Sequence, residues 1–338
     1  MIHKIHLQNF RNLGDQVFSF SDKITVIVGQ NGTGKTNLLE SIFLISFGKS
    51  FKSVKDIDLI NEKKEFARIK ALITDKIKLE ILFTKTNRKK LLINGVPKRL
   101  VDFTGNLKVV LFAPQDLDLV TSGPSLRRKF LDTVLSLVDK DYHRAIISYE
   151  KGLRQRNKLL FRIREEGLSR SQLLFWNQLL IKNADYIASS REDLINFINF
   201  HKEEFLSNEY QLEYDKSAIS EARLEQYANA EIASATTLVG PHRDDFMFKF
   251  KEHNLDVFGS RGEQRMAILW LKLAELSFVE KKVGEKPTLL LDDIFSELDE
   301  NHRKIVFEVC KNQQTIITTA DPDFLTGFNI DTKIKLGI

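Results

Sequence analysis

Residues Gly29 to Thr36 read GQNGTGKT, and this G-x-x-x-x-G-K-T spacing is that of a loop that cradles phosphate. An apolar ITVIV precedes it and TNLLESIFLISF follows, the strand-then-helix setting such a loop needs. Backbone N–H groups from Asn31 to Thr36 can wrap a β-phosphate, and Lys35 can reach the β- and γ-phosphate oxygens. The Thr36 hydroxyl can take a Mg²⁺ ion. Gly29, Gly32 and Gly34 suit the loop because a Cβ would block close backbone approach or forbid positive φ. Thr33 and Asn37 complete the candidate nucleotide-binding set. The bland reading is a glycine-rich connection that binds nothing.

A metal on such a phosphate needs a carboxylate, normally at the end of a buried strand. PTLLLDDIFSELD supplies one: Leu289, Leu290 and Leu291 read as strand and Asp292 ends it as the metal ligand. Asp293 follows, where it can orient a water for attack on the γ-phosphate. Alone, LLLDD is equally a strand capped by Asx residues before a turn. A third stretch, VFGSRGEQRMAILWLKLAEL from Val257, sets a charged glycine turn before a long apolar helix. Ser260 followed by Glu263 fits a capping box. The sharper reading seats an anion on the N–H groups at that helix start.

These segments must be positioned by a larger fold. The first hundred residues alternate as strands do in IHKIHL, KITVIVG, RIKALI, KLEILF and KLLING, with Asn94-Gly95 marking a hairpin. From about Pro124 to Ala235 the apolar spacing turns helical and glycine and proline become scarce. DFMFKF, PTLLLDD and TIITTAD then read as strands again. The expected architecture is an α/β head over 1–123 and 236–338, with a sheet carrying the phosphate-loop helix plus antiparallel strands, interrupted by a helical lobe at 124–235. No internal repeat appears. The 338 residues, 42% hydrophobic and 29% charged, form an ordinary globular balance. The net charge of +5 suits phosphate-rich partners without requiring them. A single cysteine, Cys310, excludes an internal disulfide framework, and the absence of a long apolar run or a signal-peptide core reads as cytoplasmic.

The phosphate loop, S-x-G-x-Q from Ser260 to Gln264, and LLLDDIFSELD together resemble the P-loop ATPase heads of the ABC and SMC class. More closely, HLQNFRN at 6–12, LFAPQDLDLV at 111–120, SLRRKFLD at 125–132 and GPHRDD at 240–245 resemble the RecF family of bacterial recombination mediators. That likeness runs in order through nearly the whole chain. It implies that two heads sandwich two ATP molecules, each signature turn closing on the γ-phosphate held by the other subunit. Ser260, the N–H of Gly262 and Gln264 would then act in trans, and Asp299 in SELD would lie on the loop facing the partner. Arg11 in NFRN would contact the nucleotide, unless it is a surface charge. Gln115 would sense Mg²⁺ and the γ-phosphate, where the family more often has an acidic residue. Thr318 or Thr319 would replace the switch histidine of ABC transporters, unless TTAD is a plain strand end. Arg261 and Glu263 stand where the family commonly has glutamines.

By the same resemblance, Lys35 and Asp293 would carry a weak, DNA-stimulated ATPase, and the ATP-bound homodimer would sit on duplex DNA near single-stranded gaps. Hydrolysis would be its release timer, with RecR and RecO as partners, RecA loading as the indirect outcome and no membrane involved. For DNA contact the sequence itself offers only Lys85, Arg88, Lys89, Lys90, Lys98 and Arg99 around the hairpins, which are equally a solvated turn. Arg127, Arg128 and Lys129 read as ion pairs between the lobes. Two other classes stay open: an ABC-class subunit that couples the same switch to a membrane or protein partner, and an interaction protein that binds ATP only to hold a shape.

Overall fold

The computed structural model describes residues 1–53, 55–74, 76–86, 89–201, 209–327 and 329–337. The chain begins with β1 (Ile2–Gln8), β2 (Gln16–Ser19), β3 (Ile24–Val28), helix α1 (Lys35–Phe47), β4 (Phe66–Ile73), β5 (Ile77–Thr84), β6 (Lys90–Ile93), β7 (Val96–Pro97) and β8 (Val109–Phe112). There follow α2 (Pro124–Val138), α3 (Lys140–Glu166), α4 (Leu174–Phe200), β9 (Tyr210–Asp215), β10 (Asp245–Phe250), β11 (His253–Asn254) and α5 (Arg261–Val283). It ends with β12 (Thr288–Asp292), α6 (Glu300–Lys311), β13 (Thr315–Thr319) and β14 (Thr332–Lys335). Contacts divide it into two compact units, 1–116 with 279–338, and 117–278.

The first unit holds two sheets. One is wholly parallel, in the order β14-β3-β13-β12-β8, and its central strands β12 and β13 are buried along their whole length because both faces are covered. The other is antiparallel, in the order β2-β1-β4-β5-β6-β7, and alternates as a one-sided sheet should. Ile5, Leu7, Ile69, Ala71, Leu79 and Ile81 face inward and are buried. Helix α1 touches β8, β12 and β13 of the first sheet and β4 and β5 of the second. That double contact explains why KTNLLESIFLISF is apolar around most of its circumference rather than along one stripe. The Asn94-Gly95 hairpin forms as expected, with both residues at positive φ and β6 paired to β7.

The second unit is mainly helical but carries a sheet of its own, β11-β10-β9. The sequence reading expected 124–235 to be helical throughout and DFMFKF to return to the head. Instead YQLEYD forms β9, pairs antiparallel with β10 over six residues, and brings DFMFKF into this unit, which extends to residue 278. Its core includes a charged network around Arg191, which is 1% exposed. Arg191 donates to Asp244 and Asp132 at 2.8 Å each and to the carbonyl of Pro241 at 2.7 Å. Asp244, fully buried, also accepts from the hydroxyl of Tyr214 at 2.5 Å and the N–H of Ser217 at 2.8 Å. A buried charge is tolerable only when every lone pair and proton is met in this way. Neighbouring His242 bonds Tyr149 and the carbonyl of Thr237, and burial pushes its pKa down to about 4. Arg127 pairs with Asp245 and Arg128 donates to the carbonyl of Asp244, so these arginines close contacts inside the second unit and not between lobes. Among the described residues no helix is long and apolar enough to cross a membrane.

Candidate functional site

In the parallel sheet β13 lies between β3, which feeds the phosphate loop, and β12, which ends in Asp292. The register sets Ile27, Thr318 and Asp292 side by side across three strands. All three strands deliver their carboxyl ends to one edge, where ligands bind in open parallel sheets. The loop after β3 turns there into α1. Gly34 caps that helix at φ 104°, a conformation costly for any residue with a Cβ. A Cβ on it would also stand 2.8 Å from Asn12 Oδ1 and 2.9 Å from Leu13 Cδ2. At Gly29 a Cβ would meet the carbonyl oxygen of Leu336 and Thr33 Oγ1, both at 2.6 Å. The loop is thus packed on its outside at Gly29 and Gly34, whereas Gly32 has open space around it and is favoured by its positive φ of 86°.

Inside the loop the ammonium of Lys35 donates to the carbonyls of Gly29 at 2.6 Å and Gln30 at 3.1 Å. Thr33 closes a turn through its N–H and its hydroxyl, both donating to the carbonyl of Gln30. Thr36 Oγ1 donates to Asp292 Oδ1 at 2.9 Å, and Thr318 Oγ1 donates to the same oxygen at 2.8 Å. The donor set fits a Mg²⁺–triphosphate: two hard oxygen ligands, Thr36 and Asp292, already within bonding distance of each other, beside a lysine and a helix N-terminus. Magnesium commonly takes one or two protein oxygens and completes its shell with phosphate and water.

Asp293 follows in a left-handed conformation, φ 54°, which turns its side chain away from the strand alternation. Its N–H donates to the carbonyl and the hydroxyl of Thr318, at 3.2 and 3.1 Å. Burial pushes its carboxyl above the ordinary aspartate value, while the charge of Lys35 pulls in the other direction. A half-buried carboxylate with a raised pKa beside a phosphate-binding lysine can orient and deprotonate a water. The structure also separates the two threonines at the end of β13. Thr318 fixes both acidic residues, whereas Thr319 bonds only the backbone of Asp321, accepting its N–H at 3.2 Å and donating to its carbonyl at 2.8 Å. Gln115 is exposed in the 3-10 turn Pro114–Leu117, just past β8 and beyond the same sheet edge.

Arg11 does not point at the phosphate loop. At φ 51° it forms a two-pronged pair with Glu40 of α1, at 2.7 and 2.8 Å, and bonds Ser53 Oγ and the carbonyl of Asp58. Glu40 is wholly buried, so this pair ties the turn after β1 to α1. The neighbouring residue is the one on the loop: Asn12 Nδ2 donates to the carbonyl of Gly32 at 3.1 Å, and Asn12 Oδ1 accepts from Asn37 at 2.8 Å. Nothing in the sequence singled out Asn12 or Glu40, because a contact between residues twenty to thirty positions apart leaves no local pattern.

In the second unit, the turn before α5 is a complete capping box. Glu263 Oε2 accepts from the N–H and the hydroxyl of Ser260, at 2.7 and 2.8 Å, and the Glu263 N–H returns to Ser260 Oγ at 3.3 Å. Those bonds from Ser260 hold the Glu263 carboxyl below its ordinary value. Ser260, Arg261 and Gly262 are exposed, and a Cβ on Gly262 would have only Ser260 Oγ within 4 Å. Gln264 is buried instead, its side chain donating to the carbonyl of Leu255 at 2.9 Å and so bracing the turn. Asp299 is exposed and caps α6, accepting from the N–H of His302 at 3.0 Å. Of the basic candidates, Lys89 pairs with Asp56 at 3.0 Å, Lys90 is exposed on β6, and Arg88 lies outside the described residues.

Comparison with known proteins agrees with this arrangement. The family model described as RecF/RecN/SMC N terminal domain matches residues 1–336. The DNA replication and repair protein RecF of Thermoanaerobacter pseudethanolicus is 37% identical over 349 residues, covering 96% of each chain. The protein of the same name from Clostridium beijerinckii is 34% identical over 355 residues, covering 99% of this chain and 95% of its own. The solved structure of a recombination mediator protein, RecF-ATP in the RecFOR pathway, superposes with a TM-score of 0.92 at 32% identity, covering 99% of this chain and 95% of that one. An Smc head domain from Pyrococcus furiosus, at 18% identity and a TM-score of 0.55, shares the fold. With a fold of the SMC-head type and relatives of this identity along almost its full length, the chain belongs to the RecF family.

Proposed function

We propose that this chain is an ATP-dependent DNA-binding protein of recombinational repair that closes as a homodimer on duplex DNA near single-stranded gaps and opens on hydrolysis. In this reading the ATPase head comprises 1–116 and 279–338, and 117–278 is the lobe inserted into it. The observation that carries the ATPase part is the meeting of Lys35, Thr36, Asp292, Asp293 and Thr318 at one sheet edge. The description of relatives as DNA replication and repair proteins, and the ATP-bound state of a solved relative, support the repair and nucleotide parts of this reading.

The chemistry is ATP plus water to ADP plus phosphate. Lys35 exchanges two carbonyl bonds for phosphate oxygens, a charge-assisted gain that draws it into the loop. Thr36 and Asp292 would hold Mg²⁺, which would supply neutralisation of phosphate charge when bound. Asp293 takes a proton from the attacking water, and Thr318 fixes the orientation of both aspartates. Arg11 would reach the nucleotide only by giving up Glu40, so its first role is to brace α1. Ser260 and the N–H of Gly262 serve the partner's γ-phosphate, and Asp299 faces the partner, with Gln115 as the switch on the chain's own side.

Turnover then acts as a timer, because the γ-phosphate favours only the closed dimer. RecR with RecO is the partner set, and RecA loading the outcome, in the cytoplasm. Sedimentation with and without ATP and duplex DNA tests the dimer. A monomer under every condition would refute it.

A further inference from the structure

The antiparallel sheet of the first unit has one buried face and one outward face, and the residues on the outward face follow from the strand register. Lys4, Leu72 and Lys78 stand in one row across β1, β4 and β5. His6, Lys70, Glu80 and Leu92 form the next row, and Gln8, Arg68, Leu82 and Lys90 the one after. Rows are about 6.7 Å apart and strands about 4.8 Å apart, so the basic groups share a patch roughly 14 Å on a side. Two carboxylates lie at these rows and both are engaged: Glu80 goes diagonally to Arg68 at 2.6 Å, and Asp15, from the turn after β1, bonds His6 at 2.5 Å and accepts from Gln8 at 3.4 Å. Among the described residues, Lys4, Lys70, Lys78 and Lys90 have no ion-pair partner, and all four are exposed. The hairpin cations differ: Lys85 is paired with Glu65, Lys89 with Asp56 and Arg99 with Asp102.

An ordinary solvated sheet face mixes both signs. Lysines on edge strands can be explained as protection against edge-to-edge pairing. That explanation fails for Lys4, Lys70 and Lys78, because β1, β4 and β5 are interior strands, whereas β7 covers β6 only at Leu92 and Ile93. A flat, predominantly basic patch held on a hydrogen-bonded sheet presents its ammonium groups at fixed spacing to an extended polyanion, and long flexible stems let each one find a phosphate.

We propose that this outward face, centred on Lys4, Lys70, Lys78 and Lys90, is the surface that meets the sugar-phosphate backbone of duplex DNA. The assignment rests on the DNA-binding function proposed above and adds the place. Contact is sequence-independent, since lysines on a flat sheet reach phosphates and do not enter a groove to read base edges.

The test is anisotropy of a labelled duplex with Mg²⁺ and ATP present, titrated across a series of salt concentrations. Lys70→Gln/Lys78→Gln should lower the slope of log affinity against log salt by about 1.8, and the quadruple variant with Lys4→Gln and Lys90→Gln by about 3.6, at roughly 0.9 per phosphate contact. Glu80→Gln removes the carboxylate at the centre of these rows and should tighten binding several-fold, a gain that misfolding cannot imitate. Lys151→Gln/Lys158→Gln, two exposed lysines of α3, controls for net charge and should leave the slope in place. A wild-type chain that binds no duplex at low salt refutes the DNA-binding function itself. A wild-type chain that binds, with unchanged slope in the double and quadruple variants and no gain from Glu80→Gln, refutes this face alone.

Discussion

Replacing Thr318 by valine isolates what the strand between β3 and β12 contributes to the chemistry. The side chain is 1% exposed and nearly isosteric with valine, so the change removes one hydroxyl and little else. Asp292 loses the donor at 2.8 Å and keeps Thr36; the Asp293 N–H loses an acceptor at 3.1 Å and keeps the Thr318 carbonyl at 3.2 Å. A hydrogen bond to a charged group is worth about 1.5–3 kcal/mol. If that bond energy goes into orienting the two aspartates in the transition state, turnover falls about 10- to 150-fold. Nucleotide affinity should move by less than about threefold, because Lys35 and the loop backbone bond elsewhere. The assay is DNA-dependent phosphate release beside equilibrium binding of a fluorescent ATP analogue. Thr319→Val is the control, since its hydroxyl serves only the Asp321 backbone. Turnover in Thr318→Val equal to that in Thr319→Val would refute the positioning argument even if the melting temperature fell.

Four further outcomes are expected. Lys35→Met removes the one loop cation and should cost roughly 2–5 kcal/mol of ATP binding, about thirtyfold or more by the same fluorescence titration. Asp293→Asn keeps the left-handed backbone that asparagine tolerates, so binding should persist while hydrolysis stops and the ATP-bound dimer accumulates in sedimentation. The raised Asp293 pKa means the fold disfavours its ionised form, so this variant should also melt slightly higher at neutral pH. The acid limb of wild-type turnover should have its midpoint above the ordinary aspartate value, and a midpoint at or below it would count against Asp293 as the base. Arg191→Met leaves Asp132 and Asp244 facing a neutral side chain and should destabilise by about 3–5 kcal/mol in chemical denaturation.

Local pattern carried the elements that depend on neighbours in sequence. GQNGTGKT between an apolar strand and a helix, the Asn94-Gly95 hairpin and the Ser260–Glu263 box are all written within a few residues, and all three appear with the expected geometry. What stayed hidden depends on distant partners. YQLEYD, which follows a long helix, reads as one more polar helix turn until β10 supplies the neighbour that makes it a strand. Arg11 looks available for phosphate until Glu40, twenty-nine residues on, occupies both its prongs. The choice between Thr318 and Thr319 is a matter of which side of β13 faces Asp292, and only the register settles it.

In the proposed function the turn at Ser260 serves two states, of which the capping box is the free one. With its N–H groups and hydroxyl satisfied by Glu263, the free turn costs nothing to expose, which lets an anion-binding helix start remain at the surface without an anion. A partner's phosphate would have to displace the Glu263 carboxylate, since two anions cannot share Ser260. Exchange would therefore weaken the attraction between subunits by the strength of the local box, and make closure depend on a doubly charged γ-phosphate end rather than a weaker anion. Ser260→Arg fills the space that the exchange needs. It should leave binding of the fluorescent nucleotide by each chain unchanged and abolish ATP-dependent dimerisation. Full dimerisation of that variant in sedimentation would show that the turn is a helix cap and nothing more.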